Sequence, residues 1–303
     1  MGDLGPAPSA EELLGRDDWA CRIGPFEALG QRYEVWTDDE ALAGFLAILY
    51  APMVSVDGAE AAVYRVVAPT VTRKGTVLRD GRVMGERRSR AGVLQLLQWA
   101  INRQVIDRSC LDRVLLHAGA VAREGAAVVL PAAMEAGKTT LTTGLLDRGF
   151  DYLTDEAAAI APDLTVTGYA KPLSIDPGSW EVLDHHRPKV DSVLDGYLDR
   201  QWHVPVVPIA GVVASARLGV VVFPRYQAGA PPELERLSPA AALIELAHCT
   251  FVPEDVPMPT DHVRQLAGII AAVPVYRMVS GDLAGACDAV SRVLDASPSG
   301  AST

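Results

Sequence analysis

The pattern of apolar and polar positions divides the chain into two regions of different rhythm. In the first, Tyr33 to Trp36 alternate as a half-buried strand does, and Asp38-Asp39-Glu40 opens a helix running to Tyr50 with acids in its first turn. Ala61 to Val67 reads as a further strand, and Thr76 to Leu78 pairs with Val83-Met84 across Asp80-Gly81, a dipeptide that favours a tight hairpin turn. Leu94, Leu97, Ile101 and Val105 recur at helical spacing behind Ser89, a capping residue. Together these predict a small α+β unit over residues 16–108, following a Pro/Ala/Gly-rich and loose terminus at 1–15.

From residue 109 to 296 the apolar runs are longer and alternate with helical stretches. Val114 to Val121, Ala126 to Leu130 and Phe150 to Thr154 read as strands. Ala157 to Ala161 and Leu164 to Thr167 form a hairpin about Pro162-Asp163, and Gly211 to Ala216 and Leu218 to Phe223 two strands of a central sheet. Ser238-Pro239 marks a helix start, with the cap and the proline in their preferred places. Helices near 261–272 and 282–295 around a strand at Val273 to Met278 complete an α/β alternation, before a small polar tail at 297–303 expected to be disordered.

Composition narrows the function classes. The chain has 303 residues, 49% of them hydrophobic and 21% charged, enough for a core and against wholesale disorder. A net charge of −11 argues against nucleic acid as a partner, because phosphate backbones require concentrated positive charge. Cys21, Cys110, Cys249 and Cys287 are scattered without a C-x-x-C pair, as in a reducing compartment. No basic-then-apolar leader opens the chain and no run of eighteen apolar residues occurs, so a cytoplasmic protein without a membrane partner is expected. Self-association stays open. The cluster Arg82, Arg87, Arg88 and Arg90 is either a solvated face or a landing site for an acidic peptide or phosphate. His185-His186 is read as a pair of solvated loop histidines, since adjacent residues point apart in regular structure and no third ligand at useful spacing is evident.

The chemistry concentrates between Leu116 and Glu156. The strand ending at Leu130 and the helix beginning at Lys138 enclose Ala132, Ala133, Met134, Glu135, Ala136, Gly137, Lys138, Thr139 and Thr140 on a strand-loop-helix path. Unpaired N–H groups at a helix start attract phosphate, Gly137 lets the backbone approach it, Lys138 can reach β- and γ-phosphates, and the Thr139 hydroxyl can hold Mg²⁺. The first glycine of the full motif is replaced by Ala132, and the tetrapeptide also fits an ordinary helix start. Lysine is scarce, with Lys74, Lys138, Lys171 and Lys189 against twenty-three arginines, which favours a specific role at 138. Asp155-Glu156 ends the next strand, expected beside the loop strand, where acids face bound phosphates and can hold metal, and His117 lies on the strand before the loop. Lys171 lies on a loop able to approach nucleotide or substrate. Arg225, after a later strand, is a candidate for offsetting phosphoryl charge or a plain surface arginine.

In the order Leu116-His117-Ala118-Gly119, Ala136-Gly137-Lys138-Thr139 and Leu153-Thr154-Asp155-Glu156 the chain resembles the kinase domain of HPr kinase/phosphorylase, and more closely the HPr-kinase-like proteins of bacterial peptide-modification gene clusters. The resemblance implies a P-loop-containing α/β domain of the HPr-kinase/PEP-carboxykinase-like type behind a smaller N-terminal unit. It also implies ATP and Mg²⁺ as cofactors and a peptide or protein Ser/Thr hydroxyl as acceptor. Under it Glu156 takes the acceptor's proton, His117 assists, Lys138 and Thr139 bind Mg-ATP, and Asp155 sits beside the metal. The chain departs from that family in having Glu at 156 in place of Asp, and Met134-Glu135 in place of Ser-Gly. A small-molecule kinase and a non-catalytic nucleotide-binding accessory protein are the alternatives.

Overall fold

The computed structural model describes residues 16–56, 60–110, 113–132, 136–189, 201–253 and 256–297. The expectations for 1–15, for Ala133, Met134 and Glu135, and for the tail beyond Ser297 lie outside these residues. The described residues fall into two compact units, one drawn from Met1–Val105 with Pro188–Gln201, the other from Ile106–Arg187 with Trp202–Thr303.

The first unit is a five-stranded sheet in the order β1 (Cys21–Ala28), β2 (Gln31–Thr37), β3 (Ala62–Val67), β4 (Gly75–Arg79) and β5 (Arg82–Arg87). Strands β2 and β3 run parallel, joined through helix α1 (Glu40–Leu49), and the other neighbours are antiparallel. Asp39 caps α1 by accepting from the Leu42 N–H at 3.1 Å, and Leu42, Leu46 and Leu49 are fully buried, one turn apart. The β4–β5 turn has positive φ at Asp80 (42°) and Gly81 (91°), the conformation that two-residue hairpins require and that the Asp-Gly pair signals. Helix α2 (Arg90–Ser109) buries Leu94, Leu97, Ile101 and Val105, and the Ser89 hydroxyl accepts from the Gly92 N–H. Arg90 departs from the expected basic cluster, pairing with Asp39 at 2.6 Å, while Arg82, Arg87 and Arg88 remain exposed.

In the second unit β6 (Val114–Arg123) and β7 (Ala126–Pro131) form a hairpin, and α3 (Lys138–Leu146) follows the loop after β7. Next come β8 (Asp151–Thr154), β9 (Ala157–Ile160), β10 (Thr165–Thr167), β11 (Leu173–Ile175), β12 (Trp202–Val204), β13 (Ser215–Tyr226) and β14 (Glu233–Arg236). Helices α4 (Pro239–His248) and α5 (Thr260–Ala272), strand β15 (Val275–Ser280) and helix α6 (Leu283–Asp295) complete the order. The main sheet runs β10-β9-β6-β7-β13-β15-β14, with β8 paired to β6 and β10 also to β13, while β11 and β12 make a separate two-stranded ribbon.

Period-two alternation sorts β6 between two helical layers. Val114, Leu116, Ala118, Ala120 and Ala122 join the core cluster that includes Leu246 of α4 and Leu266 and Ile269 of α5. The alternate positions His117 and Gly119 face α3. A Cβ on Gly119 would lie 2.3 Å from Thr142 Oγ1, so the missing side chain is what lets α3 settle on β6. On its other side α3 presents Gly144 to Leu283 and Cys287 of α6.

Two expectations need correction. The strand ending in the acids lies beside β6 and not beside the loop strand β7: β6 is interposed, antiparallel to both. The two strands expected at Gly211 to Ala216 and Leu218 to Phe223 are mostly one: β13 runs twelve residues from Ser215 through Pro224 to Tyr226, with only an isolated bridge from Val212 to Tyr152 before it.

Candidate functional site

The carboxyl ends of β7, β8 and β13 and the start of the antiparallel β6 meet at one edge of the sheet, the edge at which open α/β sheets bind ligands. Gly137 there is the N-cap of α3, with φ of 85°, a value that favours glycine. Tyr226 at the end of β13 comes within 3.6 Å of the place a Cβ on Gly137 would occupy. Ala132 is buried and its N–H donates to the His117 carbonyl at 3.3 Å, tying the exit of β7 to β6.

Lys138 is the first residue of α3, and its side chain lies over β6. Its Nζ is 2.6 Å from His117 Nε2, and His117 Nδ1 is 3.7 Å from Glu156 Oε1, so the imidazole stands between the lysine and the acid. The ring packs edge-on against Phe251 at 5.4 Å, and the His117 N–H donates to the Cys249 carbonyl. Burial, reinforced by the positive charges of Lys138 and Lys171 and opposed by Asp155, holds the His117 pKa down to about 4. At pH 7 the ring is therefore neutral. Burial also lowers Lys138 to about 8, with Lys171 in the same sense and Glu156 and Asp155 opposing. The lysine is thus the charged donor and His117 Nε2 the acceptor, which leaves the ring proton on Nδ1, turned towards Glu156.

Asp155 is otherwise engaged than its expected place beside a metal. Lys171 Nζ lies 2.8 Å from its Oδ1, the Tyr152 hydroxyl donates to Oδ1 at 2.9 Å, and the Ser174 N–H donates to Oδ2 at 3.1 Å. Burial pushes the Asp155 carboxyl up, but Lys171 and these donors outweigh it and hold it below the usual range. Lys171 is likewise raised, the two acids outweighing burial. Lys171 Nζ also reaches the Pro172 carbonyl, Ser174 Oγ and, at 3.7 Å, Glu156 Oε2. The loop lysine expected to approach a ligand is instead buried between the acids, walled by the β11–β12 ribbon, in which Ser174 pairs with His203. Burial, with Lys171 adding and Asp155 opposing, lowers the His203 pKa to about 3.

The remaining expected residues spread outwards. The Thr140 hydroxyl contacts the Ser179 hydroxyl at 2.5 Å. Arg225 is half exposed and pairs with Glu245 at 3.1 Å, a carboxylate that Arg277 also holds. Its charge, with that of Lys138, opposes the burial that raises the Cys249 thiol, so Arg225 acts electrostatically on the same corner without touching Lys138. Tyr152, Ser174, His203, Phe251 and Glu245 were not legible as site residues in the sequence. Only Lys171 carried a signal, its rarity.

No family model matches the chain, and no curated protein matches it. Among solved structures it is similar to the Hpr(Ser) kinase/phosphatase from Coxiella burnetii, at 12% identity over 59% of this chain and 96% of that chain, with a TM-score of 0.29. Agreement that loose leaves every residue role to be argued from this chain's own geometry. No helix among the described residues is long and apolar enough to cross a membrane.

Proposed function

We propose that the protein is an ATP- and Mg²⁺-dependent kinase that transfers the γ-phosphoryl group to a serine or threonine hydroxyl of a peptide or protein. The observation that carries this reading is the line Lys138, His117, Glu156, with spacings of 2.6 and 3.7 Å, at the start of a helix whose N-cap is a glycine with positive φ. A cation, a neutral imidazole and a partly exposed carboxylate, set beside a helix N-terminus, supply anion binding and proton acceptance at one place.

In this reading the phosphates lie on the N–H groups after Gly137 with Lys138 on the β- and γ-oxygens. Binding them draws Lys138 from His117 Nε2 towards the ligand. Glu156 takes the proton of the acceptor hydroxyl as its oxygen forms the new bond to the γ-phosphorus, and the bond from that phosphorus to the bridging oxygen breaks to release ADP. The His117 ring and Lys171, which Asp155 holds at 2.8 Å, each stand 3.7 Å from Glu156 and flank its carboxylate without a hydrogen bond to it. Mg²⁺, when bound, neutralises charge on the β- and γ-phosphates, and Thr139 is the ligand assigned to it, Asp155 being occupied by protein donors. Arg225 is placed to bias the field at the corner, not to grip a phosphate, while Glu245 holds it.

Calorimetry with Mg-ATP on the wild type and on Lys138→Ala tests the binding half, with most of the affinity lost in the variant. Incubation with labelled ATP and the candidate peptides and metabolites, followed by mass spectrometry, tests the transfer half. Phosphate on a peptide Ser or Thr supports the reading, phosphate on a metabolite replaces it with a small-molecule kinase, and ATP binding without transfer replaces it with an accessory protein.

A further inference from the structure

A second cluster lies at the far end of α3 and has no part in the arrangement above. Asp147 is the C-cap of that helix, nine positions beyond Lys138 and so about 13 Å along the axis at 1.5 Å per residue. A short 3₁₀ turn at Asp184–His186 brings both histidines onto its carboxylate: His185 Nε2 lies 3.0 Å from Oδ2 and His186 Nε2 2.7 Å from Oδ1. The two rings are 4.1 Å apart between centroids, inclined at 45°. The expectation that neighbouring histidines point apart is not met here: in this single 3₁₀ turn both side chains reach one carboxylate. The third group, at residue 147, is too distant in sequence to be seen as part of one motif.

We propose that Asp147, His185 and His186 bind a divalent transition metal of the zinc type. Three observations carry the proposal. The first is convergence: one ligand atom from each residue lies within 4.8 Å of the others, and the edge of a tetrahedron with bonds of about 2.0 Å is roughly 3.3 Å, so only small shifts separate the cluster from a coordination sphere. The second is donor chemistry: two imidazole nitrogens and one carboxylate suit zinc, cobalt, nickel or copper, whereas Mg²⁺ and Ca²⁺ take oxygen ligands. The third is support. The Asp147 N–H donates to the Thr143 carbonyl, the His186 N–H to Leu183 and the Arg187 N–H to Asp184, so backbone bonds hold both sides of the cluster. The α3 C-terminus adds partial negative charge, which favours a cation there.

His185 is 58% exposed, His186 11% and Asp147 31%, so a fourth position opens to water. A metal there would act as a clamp. The segment from Ser179 to His186 runs along α3, touching Thr140 on its first turn through Ser179 and Asp147 at its end through the histidines. Occupancy would fix that strap against the helix that begins with Lys138.

The test uses untagged, chelator-treated full-length protein and zinc itself, titrated in competition with a chromogenic chelator. One zinc per chain is expected. His185→Ala and His186→Ala should each weaken it by at least about 10²-fold, the upper end of what even outer-sphere changes cost. Lys138→Ala should leave it unchanged, which separates this site from the nucleotide site. Zinc should raise the Tm of the wild type and not of His185→Ala, whose exposed side chain is no part of the core. Cobalt in place of zinc should give the intense visible bands of four-coordinate nitrogen and oxygen ligation. Equal zinc affinity in His185→Ala and wild type, no zinc bound by the wild type, or binding lost only in variants of Cys249 or Cys287 would each overturn the proposal.

Discussion

Lys171 Nζ lies 2.8 Å from Asp155 Oδ1, with the two side chains 3% and 1% exposed. Neither charge is tolerable alone in that setting, because burial without a partner costs several kcal/mol per ion. Asp155→Asn should therefore destabilise the protein by about 3–5 kcal/mol in denaturant unfolding, the cost of stranding one member of a buried pair. Lys171→Met combined with Asp155→Asn should lose clearly less than the sum of the two single losses. Strict additivity would show that the pair is not energetically coupled.

Glu156 presents the opposite case. Its side chain is a quarter exposed and its contacts, His117 and Lys171, are both at 3.7 Å, beyond hydrogen-bond range. Glu156→Gln should leave stability and Mg-ATP affinity nearly unchanged while lowering transfer to the acceptor by about 10²–10⁴-fold, the range for loss of a general base. A variant that loses ATP affinity and turnover together would assign Glu156 to metal binding.

Two histidines with depressed pKa values, His117 and His203, set a pH dependence of stability. Burial holds the His117 pKa down to about 4 and that of His203 to about 3 in the folded protein, against about 6.5 for an exposed imidazole. Both folded values lie below the unfolded one, so between them the unfolded chain binds protons that the native state refuses. Their contribution is complete above pH 6.5 and is lost as the pH falls towards 4 and then 3. Each adds up to about 1.4 kcal/mol per pH unit to the slope. Urea unfolding at several pH values from 6.5 to 5 should show a shallower slope in His203→Gln than in the wild type. Parallel slopes would mean that His203 binds protons equally in the native and unfolded states, so that its pKa is not depressed by folding.

Much of the fold was readable because local and tertiary signals agreed. The Asp80-Gly81 turn, the Ser89 cap with its 94, 97, 101, 105 spacing and the Ser238-Pro239 helix start all stand where the pattern put them. Strand β1 was hidden by Gly24-Pro25 in its interior, which reads as a breaker and here makes a register shift against β2. The polar β14, Glu233 to Arg236, shows too little apolar alternation to register as a strand; β15 supplies its hydrogen bonds. At the site, the meeting of His117, Lys138 and Glu156 follows from the strand-loop-helix order. The burial of Lys171 between the acids does not, because it depends on the β11–β12 ribbon formed by residues some thirty apart in sequence. The convergence of Asp147 with His185 and His186 is long-range in the same way.

The proposed phosphate site depends on the charge of Lys138. Burial, with Lys171 behind it, brings Lys138 down to about 8, so the free protein loses this cation within the range of ordinary buffers. ATP favours the charged form, and its phosphates raise the lysine's affinity for a proton on binding. Affinity should hold steady below pH 8 and fall above it, by up to tenfold per pH unit while the bound form stays protonated. Binding near pH 8.5 should be accompanied by net proton uptake, seen as a difference in calorimetric enthalpy between two buffers of different ionisation enthalpy. Lys138→Arg, whose guanidinium stays charged throughout, should show a flat profile between pH 7 and 9.5 even if its affinity is lower overall. If the wild type binds ATP equally well at pH 7 and 9.5 with no proton uptake, Lys138 does not contact the phosphates, and the helix start at Gly137 is an ordinary one.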